Sequence, residues 1–195
     1  MFQKGTLFLF LFFALCSWET QAQNNDNKTI DSLRVVLKQT KNKAQRAALL
    51  IKLSSYSKYI GPDKSINYAS QGLSHAEKVN DSEQIGLAHT YIGIAYEIKS
   101  DYPHALKNFY KALEISEKTN DLKTLTTLYN NIGLIYTDLK NYKQALFFYK
   151  KALQLSYQTE KERNVSLFLN NIGDVYLKKK EYKKALVYFY KALII

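Results

Sequence analysis

One cysteine, one tryptophan, two prolines and seven glycines stand in 195 residues, with three histidines. Each scarcity closes off a class of function. No Gly-rich phosphate loop can be found. His75, His89 and His104 lie fourteen and fifteen residues apart, without a partner at metal-ligand spacing, so surface or packing roles are expected and no metal site. There is no Ser in a nucleophile-elbow context and no carboxylate pair that recurs or sits among apolar residues. Catalytic residues and cofactors are therefore not expected, and the chain reads as something other than an enzyme. Acidic side chains are also few, 17 against 28 Lys and Arg, for a net charge of +11. That balance alone would suit an acidic partner. A nucleic-acid role is not expected, because the lysines are spread over every repeat and no nucleic-acid motif accompanies them.

Long apolar runs are confined to the amino end. Lys4, the run Leu7 to Cys16 and the small-residue site Thr20-Gln-Ala22 read as a signal peptide over residues 1–22, so the mature chain is expected to begin at Gln23, outside the cytoplasm, periplasmic or secreted. The run falls short of the roughly 20 residues that span a bilayer. Cys16 follows the bulky Leu15, which argues against lipidation. Cleavage would remove the only cysteine and the only tryptophan, so packing alone must hold the mature protein.

What the chain does have is repetition. Gly93, Gly133 and Gly173 recur at forty residues, and in the same register come Tyr96, Tyr136, Tyr176; Ala105, Ala145, Ala185; and Ala112, Ala152, Ala192. These are expected to pack repeat on repeat. Within each unit apolar residues fall three and four apart in two stretches, which predicts two helices. Between them lie polar breaks such as Lys99-Ser-Asp101, Lys140-Asn141 and Lys180-Glu181, and Pro62 and Pro103 mark helix starts, where a missing amide hydrogen costs little. Glycine inside a helix costs about 1 kcal/mol relative to alanine, so the three predict close helix contact, with the facing alanines in the same service. A worn copy precedes them, with Leu53 where Gly93 stands, and residues 28–41 read as an amphipathic helix capping the amino end.

These residues resemble the tetratricopeptide repeat (TPR) family. The family pattern matches Tyr129, Ile132, Gly133, Tyr136, Ala145, Tyr149 and Ala152, with Ile92, Phe109, Ile172 and Phe189 at equivalent places, over roughly residues 86–195. The forty-residue period exceeds the usual 34, and Glu117 and Tyr157 stand where a closing proline would be. The resemblance implies an all-α fold, a right-handed superhelical solenoid of antiparallel helix pairs. The expected division is a leader at 1–22, a linker and capping helix at 23–44, a degenerate repeat at 45–84, repeats at 85–124 and 125–164, and an apparently truncated repeat at 165–195.

The resemblance further implies that ligands lie on the concave face of the first helices. There Asn130, Asn131, Asn170 and Asn171 could hydrogen-bond an extended peptide, tuned by Thr90, Tyr91, Asp138, Asp174 and Lys178. The same asparagines could equally bind neighbouring helices. The expected function is protein or peptide binding; the alternative is the extracytoplasmic sensory part of a signalling protein, a histidine kinase or helix-turn-helix regulator whose output lies elsewhere. Val187, Phe189, Tyr190 and Leu193 near the carboxyl end form an apolar surface that is expected to be covered either by further repeats or an output domain or by self-association of a second copy through that helix.

Overall fold

The computed structural model describes residues 26–158 and 162–195, and the leader expected at 1–22 lies outside them. All secondary structure among the described residues is helical: α1 (residues 26–39), α2 (Lys43–Ser57), α3 (Pro62–Glu77), α4 (Ser82–Ile98), α5 (Tyr102–Thr119), α6 (Leu122–Asp138), α7 (Tyr142–Gln158), α8 (Glu162–Lys178) and α9 (Tyr182–Leu193). None of these helices is long and apolar enough to cross a membrane. Helices α2/α3, α4/α5, α6/α7 and α8/α9 pair as hairpins, and each hairpin packs on the next. The helices start at Ser82, Leu122 and Glu162, three residues ahead of the unit boundaries read from the repeat, because Asp81 and Asp121 act as N-caps and Glu162 follows the same period.

The turns follow one rule. Asn80, Ser100, Asn120, Lys140 and Lys180 all adopt left-handed backbone, with φ between 53° and 62°. They stand at multiples of twenty residues, so each forty-residue unit is two helix-and-turn modules of similar length. After α6 the amide of Lys140 donates to Thr137 O at 3.0 Å and that of Asn141 to Tyr136 O at 2.8 Å, the paired bonds that close a helix through a left-handed residue. The next residue starts the following helix: Asp81, Asp101, Asp121 and Asn141 accept from the backbone amides of Gln84, His104, Thr124 and Gln144. Pro62 and Pro103 occupy first turns, as expected.

The recurrent glycines make room for rings rather than for alanines. A Cβ on Gly93 would lie 2.5 Å from Phe109 Cε1, one on Gly133 2.7 Å from Tyr149 Cε1, and one on Gly173 2.6 Å from Phe189 Cε1. The aromatic at the equivalent place of α5, α7 and α9 lies against the bare backbone of the first helix of its pair. Ala105, Ala112, Ala145 and Ala152 are fully buried and Ala185 nearly so, and they supply the rest of the close approach; Ala192, on α9, is only half-buried. In α2/α3 Leu53 holds the place of the glycine and Ala69 that of the ring, and both are fully buried; there the close glycine contact is instead Gly72 of α3, whose Cβ would lie 2.8 Å from Ile51 Cγ1 of α2. Tyr96, Tyr136 and Tyr176 are half-buried and stack on His104, Phe148 and Tyr188, with centroids 5.0, 5.7 and 5.4 Å apart.

Helix α1 covers the amino end of the array. Arg34 Nε donates to Tyr68 Oη at 2.9 Å, and Arg46 Nη1 donates to the carbonyls of Leu37 and Thr40 that end α1.

Candidate functional site

Successive first helices touch: α2 meets α4, α4 meets α6, and Asn171 of α8 reaches Asn130 of α6. Successive second helices approach one another less closely, meeting through side chains such as Tyr110 of α5 and Phe148 of α7 with ring centres 6.3 Å apart, so the first helices form the inner layer and their free faces the inner surface. A cavity of about 700 Å³ opens on that surface between α4 and α6. Leu87, Thr90, Tyr91 and Ile94 form one wall, Thr124 and Thr127 the other, and Ile115 of α5 lies at the back.

Of the side chains expected at the site, Thr90 and Tyr91 line this cavity, and the others are placed elsewhere. Thr90 is buried and its hydroxyl donates to Gly86 O of its own helix at 2.9 Å, leaving little for a ligand. The asparagines are linked together. Asn171 Nδ2 donates to Asn130 Oδ1 at 2.9 Å, and Asn130 Nδ2 donates to Asn131 Oδ1 at 3.3 Å, a bridge from α8 to α6. Asn170 is exposed and outside the bridge. Asp174 pairs with Lys178 at 2.5 Å, and Asp138 accepts from the Tyr102 hydroxyl at 3.0 Å.

Two residues that sequence reasoning passed over matter here. Lys58, just past α2, borders the cavity with its ammonium 5.7 Å from the Tyr91 ring centre and 5.0 Å from that of Tyr59. Burial pushes its pKa below the usual lysine value, the Asp26 charge opposing weakly, and no carboxylate ion-pairs with it among the described residues. Glu97, at the end of α4, is half-buried; burial, with the nearby Asp138 charge, pushes its carboxyl up to about 7. Glu97 holds the place taken by Thr137 and Leu177 in the next repeats, and an acid among uncharged residues at one repeat position was the signal available in the sequence.

Two of the histidines bond to neighbouring side chains. His89 Nδ1 lies 3.0 Å from Asn108 Oδ1, and His104 stacks on Tyr96 and bonds Asp101. No group of three or more metal-ligating side chains occurs among the described residues.

The TPR family model, described as a tetratricopeptide repeat, matches residues 84–158 and 123–195. The chain belongs to the tetratricopeptide repeat family. Its fold is similar to that of the apo form of RapI, with a TM-score of 0.74 and 25% identity over 87% of this chain and 48% of that one. It is similar also to a Rap protein solved in complex with Competence and Sporulation Factor (TM-score 0.77, 21% identity, 91% of this chain and 50% of that one). A third similar fold is a signal-transduction ATPase with a tetratricopeptide repeat sensor from Pyrococcus horikoshii (TM-score 0.77, 21% identity, 86% of this chain and 26% of that one). The chain thus spans about half the length of the two Rap structures. No curated protein matches it in sequence.

Proposed function

We propose that this TPR array is a non-catalytic scaffold that holds a protein or peptide segment on its inner face, in the cavity between α4 and α6. The observation that carries the reading is the half-buried ammonium of Lys58, beside the Tyr91 ring, at the rim of a cavity lined mostly by apolar and hydroxyl side chains, with Glu83, Asp121 and Lys123 also on its lining. An unpaired, partly desolvated cation gains most from an anionic partner, so an acidic segment fits best. The asparagine bridge beyond the cavity leaves Asn131 Nδ2 and all of Asn170 free of it, and these would extend the contact along the backbone of the ligand. The family's interaction role and the Rap complex are consistent with such use.

Selection from a library of random displayed peptides tests the reading. Enriched peptides should carry acidic residues and should lose at least tenfold in affinity on Lys58→Ala and on Tyr91→Ala, with the melting temperature held. Binding that survives both variants, or no enrichment at all, would remove the cavity from the function.

The leader motif places the protein outside the cytoplasm in this reading, and the mass of the isolated protein, beginning at Gln23, checks it. The sensory alternative draws on the description of the Pyrococcus horikoshii protein as carrying a TPR sensor. Read-through of the gene into an output domain would favour it. Self-association through α9 is a further part of the proposal, since its outward face exposes Tyr182, Leu186, Tyr190 and Leu193.

A further inference from the structure

Helices α7 and α9 carry three lysines each, with no arginine and no acidic residue. Lys184 pairs with Glu181, and the other five stand in no ion pair among the described residues. Lys143, Phe147 and Lys150 are spaced four and three apart, so they share one face of α7, and all three are exposed. The same places on α9, forty residues on, hold Lys183, Val187 and Tyr190, also exposed. The two helices stand side by side in the outer layer, since Leu146 of α7 and Tyr188 of α9 pack against one cluster around Tyr149 and Ile172. On α5 these places hold Pro103, Lys107 and Tyr110, and Glu114 follows, paired with Lys118 at 2.7 Å, so the surface without acid begins at α7.

The exposure of Phe147 is no effect of the array's end. Its neighbour Leu146 is half-buried beneath the α8/α9 hairpin, whereas Phe147 keeps 50% of its surface in water with that hairpin in place. Val187, at the equivalent place, is 52% exposed. Water leaves both at a cost that an apolar partner would relieve, and the only cover on the Phe147 ring from a charged group is Lys151, whose ammonium lies 5.1 Å from its centre.

We propose that the outer face of α7 and α9 docks on an anionic lipid surface, with Phe147 and Val187 entering the headgroup layer and the lysines meeting lipid phosphates. Charge complementarity selects an anionic partner, because five unpaired cations meet no carboxylate on their own helices. Lysine is a compact charge without the planar fork of arginine, which suits mobile phosphates held in no fixed register. Apolar side chains standing between the lysines gain from a partner whose interior is apolar. A nucleic acid would answer the same lysines, but Val187 has no ring on which a base could stack. Docking through the second helices turns the first helices away from the bilayer and leaves the cavity between α4 and α6 open. The lipid face is thus independent of what fills that cavity.

Sedimentation of the isolated protein with vesicles tests the proposal, using phosphatidylcholine alone and phosphatidylcholine with phosphatidylglycerol in equal parts. Binding to the anionic vesicles should exceed that to the neutral ones by roughly tenfold or more. It should weaken as salt is raised to about 0.5 M. Lys143→Gln, Lys150→Gln and Lys183→Gln combined in one chain should remove most of the excess. Phe147→Ser with Val187→Ser, which keeps every charge, should lower it severalfold. All five side chains are exposed, so the melting temperature of both variants should be held. The apolar amino end is common to every variant, so binding of its own would appear with neutral vesicles too and cancel in the comparison. Tryptophan emission of Val187→Trp, after subtraction of the unsubstituted protein, should shift to the blue on anionic vesicles. Lys58→Ala should bind vesicles as before, which separates failure of the peptide cavity from failure of the lipid face. Equal binding to the two kinds of vesicle, binding untouched by the lysine variant, or an unshifted emission from bound Val187→Trp would overturn the proposal. So would duplex DNA bound as tightly as anionic vesicles with no loss from Phe147→Ser and Val187→Ser, which would make the partner a nucleic acid.

Discussion

Lys140 and Lys180 hold a conformation that lysine resists. A side chain in the left-handed region crowds its own carbonyl at a cost of roughly 1–2 kcal/mol, which glycine escapes and asparagine partly offsets with local hydrogen bonds. Asn80 and Asn120 follow that preference; Ser100, Lys140 and Lys180 do not. They are held by the helices they join, since Asn141 must reach the amide of Gln144 to open α7 while its own amide closes α6. Lys140→Gly should therefore stabilise the array by about 0.5–1 kcal/mol, less than the full strain because glycine also loosens the unfolded chain, and thermal unfolding should show a rise of a few degrees. A fall would mean that the exposed lysine contributes something its backbone does not reveal. These turns were only half legible in the sequence. The breaks at Lys140-Asn141 and Lys180-Glu181 stood out as polar, but without glycine their left-handed geometry had no residue signature.

Helix pairs in this array meet through one contact written in two ways. In three repeats a glycine faces an aromatic ring, and in α2/α3 a buried leucine and a buried alanine hold the same two places, with the total volume nearly kept. Cores accept substitutions of this kind when volume is conserved and resist one-sided changes. Gly93→Leu alone should destabilise by about 1–3 kcal/mol or more, because its Cβ already falls 2.5 Å from the Phe109 ring. Phe109→Ala alone should cost about 3–5 kcal/mol through the cavity it leaves. Together they copy Leu53 and Ala69, and the double variant should be less destabilised than the sum by about 1–3 kcal/mol, as measured in a double-mutant cycle by denaturant unfolding. Strict additivity would show that the two places do not share a contact. The helix count, the pairing and the places of the prolines were readable from the forty-residue period, because apolar spacing records burial directly. The ring against the glycine was not, since Gly93 and Phe109 are sixteen residues apart and only the hairpin brings them together. The asparagines show the same limit: the resemblance assigned them to ligand binding and left a bond to a neighbouring helix equally open, and only the fold reveals that Asn171 ties α8 to α6.

The net charge of +11 is a property of the whole molecule more than of any one cluster. The densest run, at Lys178 to Lys184, is largely answered within itself: Lys178 pairs with Asp174, and Lys179 and Lys184 both reach Glu181 at 2.5 and 2.6 Å. Helices α7 and α9, by contrast, contain lysines and no acidic residue. On α9 these lysines flank an apolar surface. Leu106 and Leu146 are half-buried beneath the next hairpin, whereas Leu186, at the equivalent place, is 70% exposed and Leu193 is 80% exposed. An exposed surface with the pattern of a repeat interface is suited to another copy of itself, and it would be opposed by Lys183, Lys184 and Lys191 brought together across a two-fold axis. The two terms respond oppositely to salt. Added salt screens the lysines and leaves apolar burial intact, so association should strengthen from low salt to about 0.5 M. Light scattering should show a molar mass rising with both protein and salt concentration, and Leu186→Glu with Leu193→Glu should return the chain to monomer without lowering its melting temperature, because neither side chain is buried. A monomer at every concentration would show that α9 is not a contact between copies, and association that weakens as salt is added would show that charge, rather than apolar surface, draws the copies together.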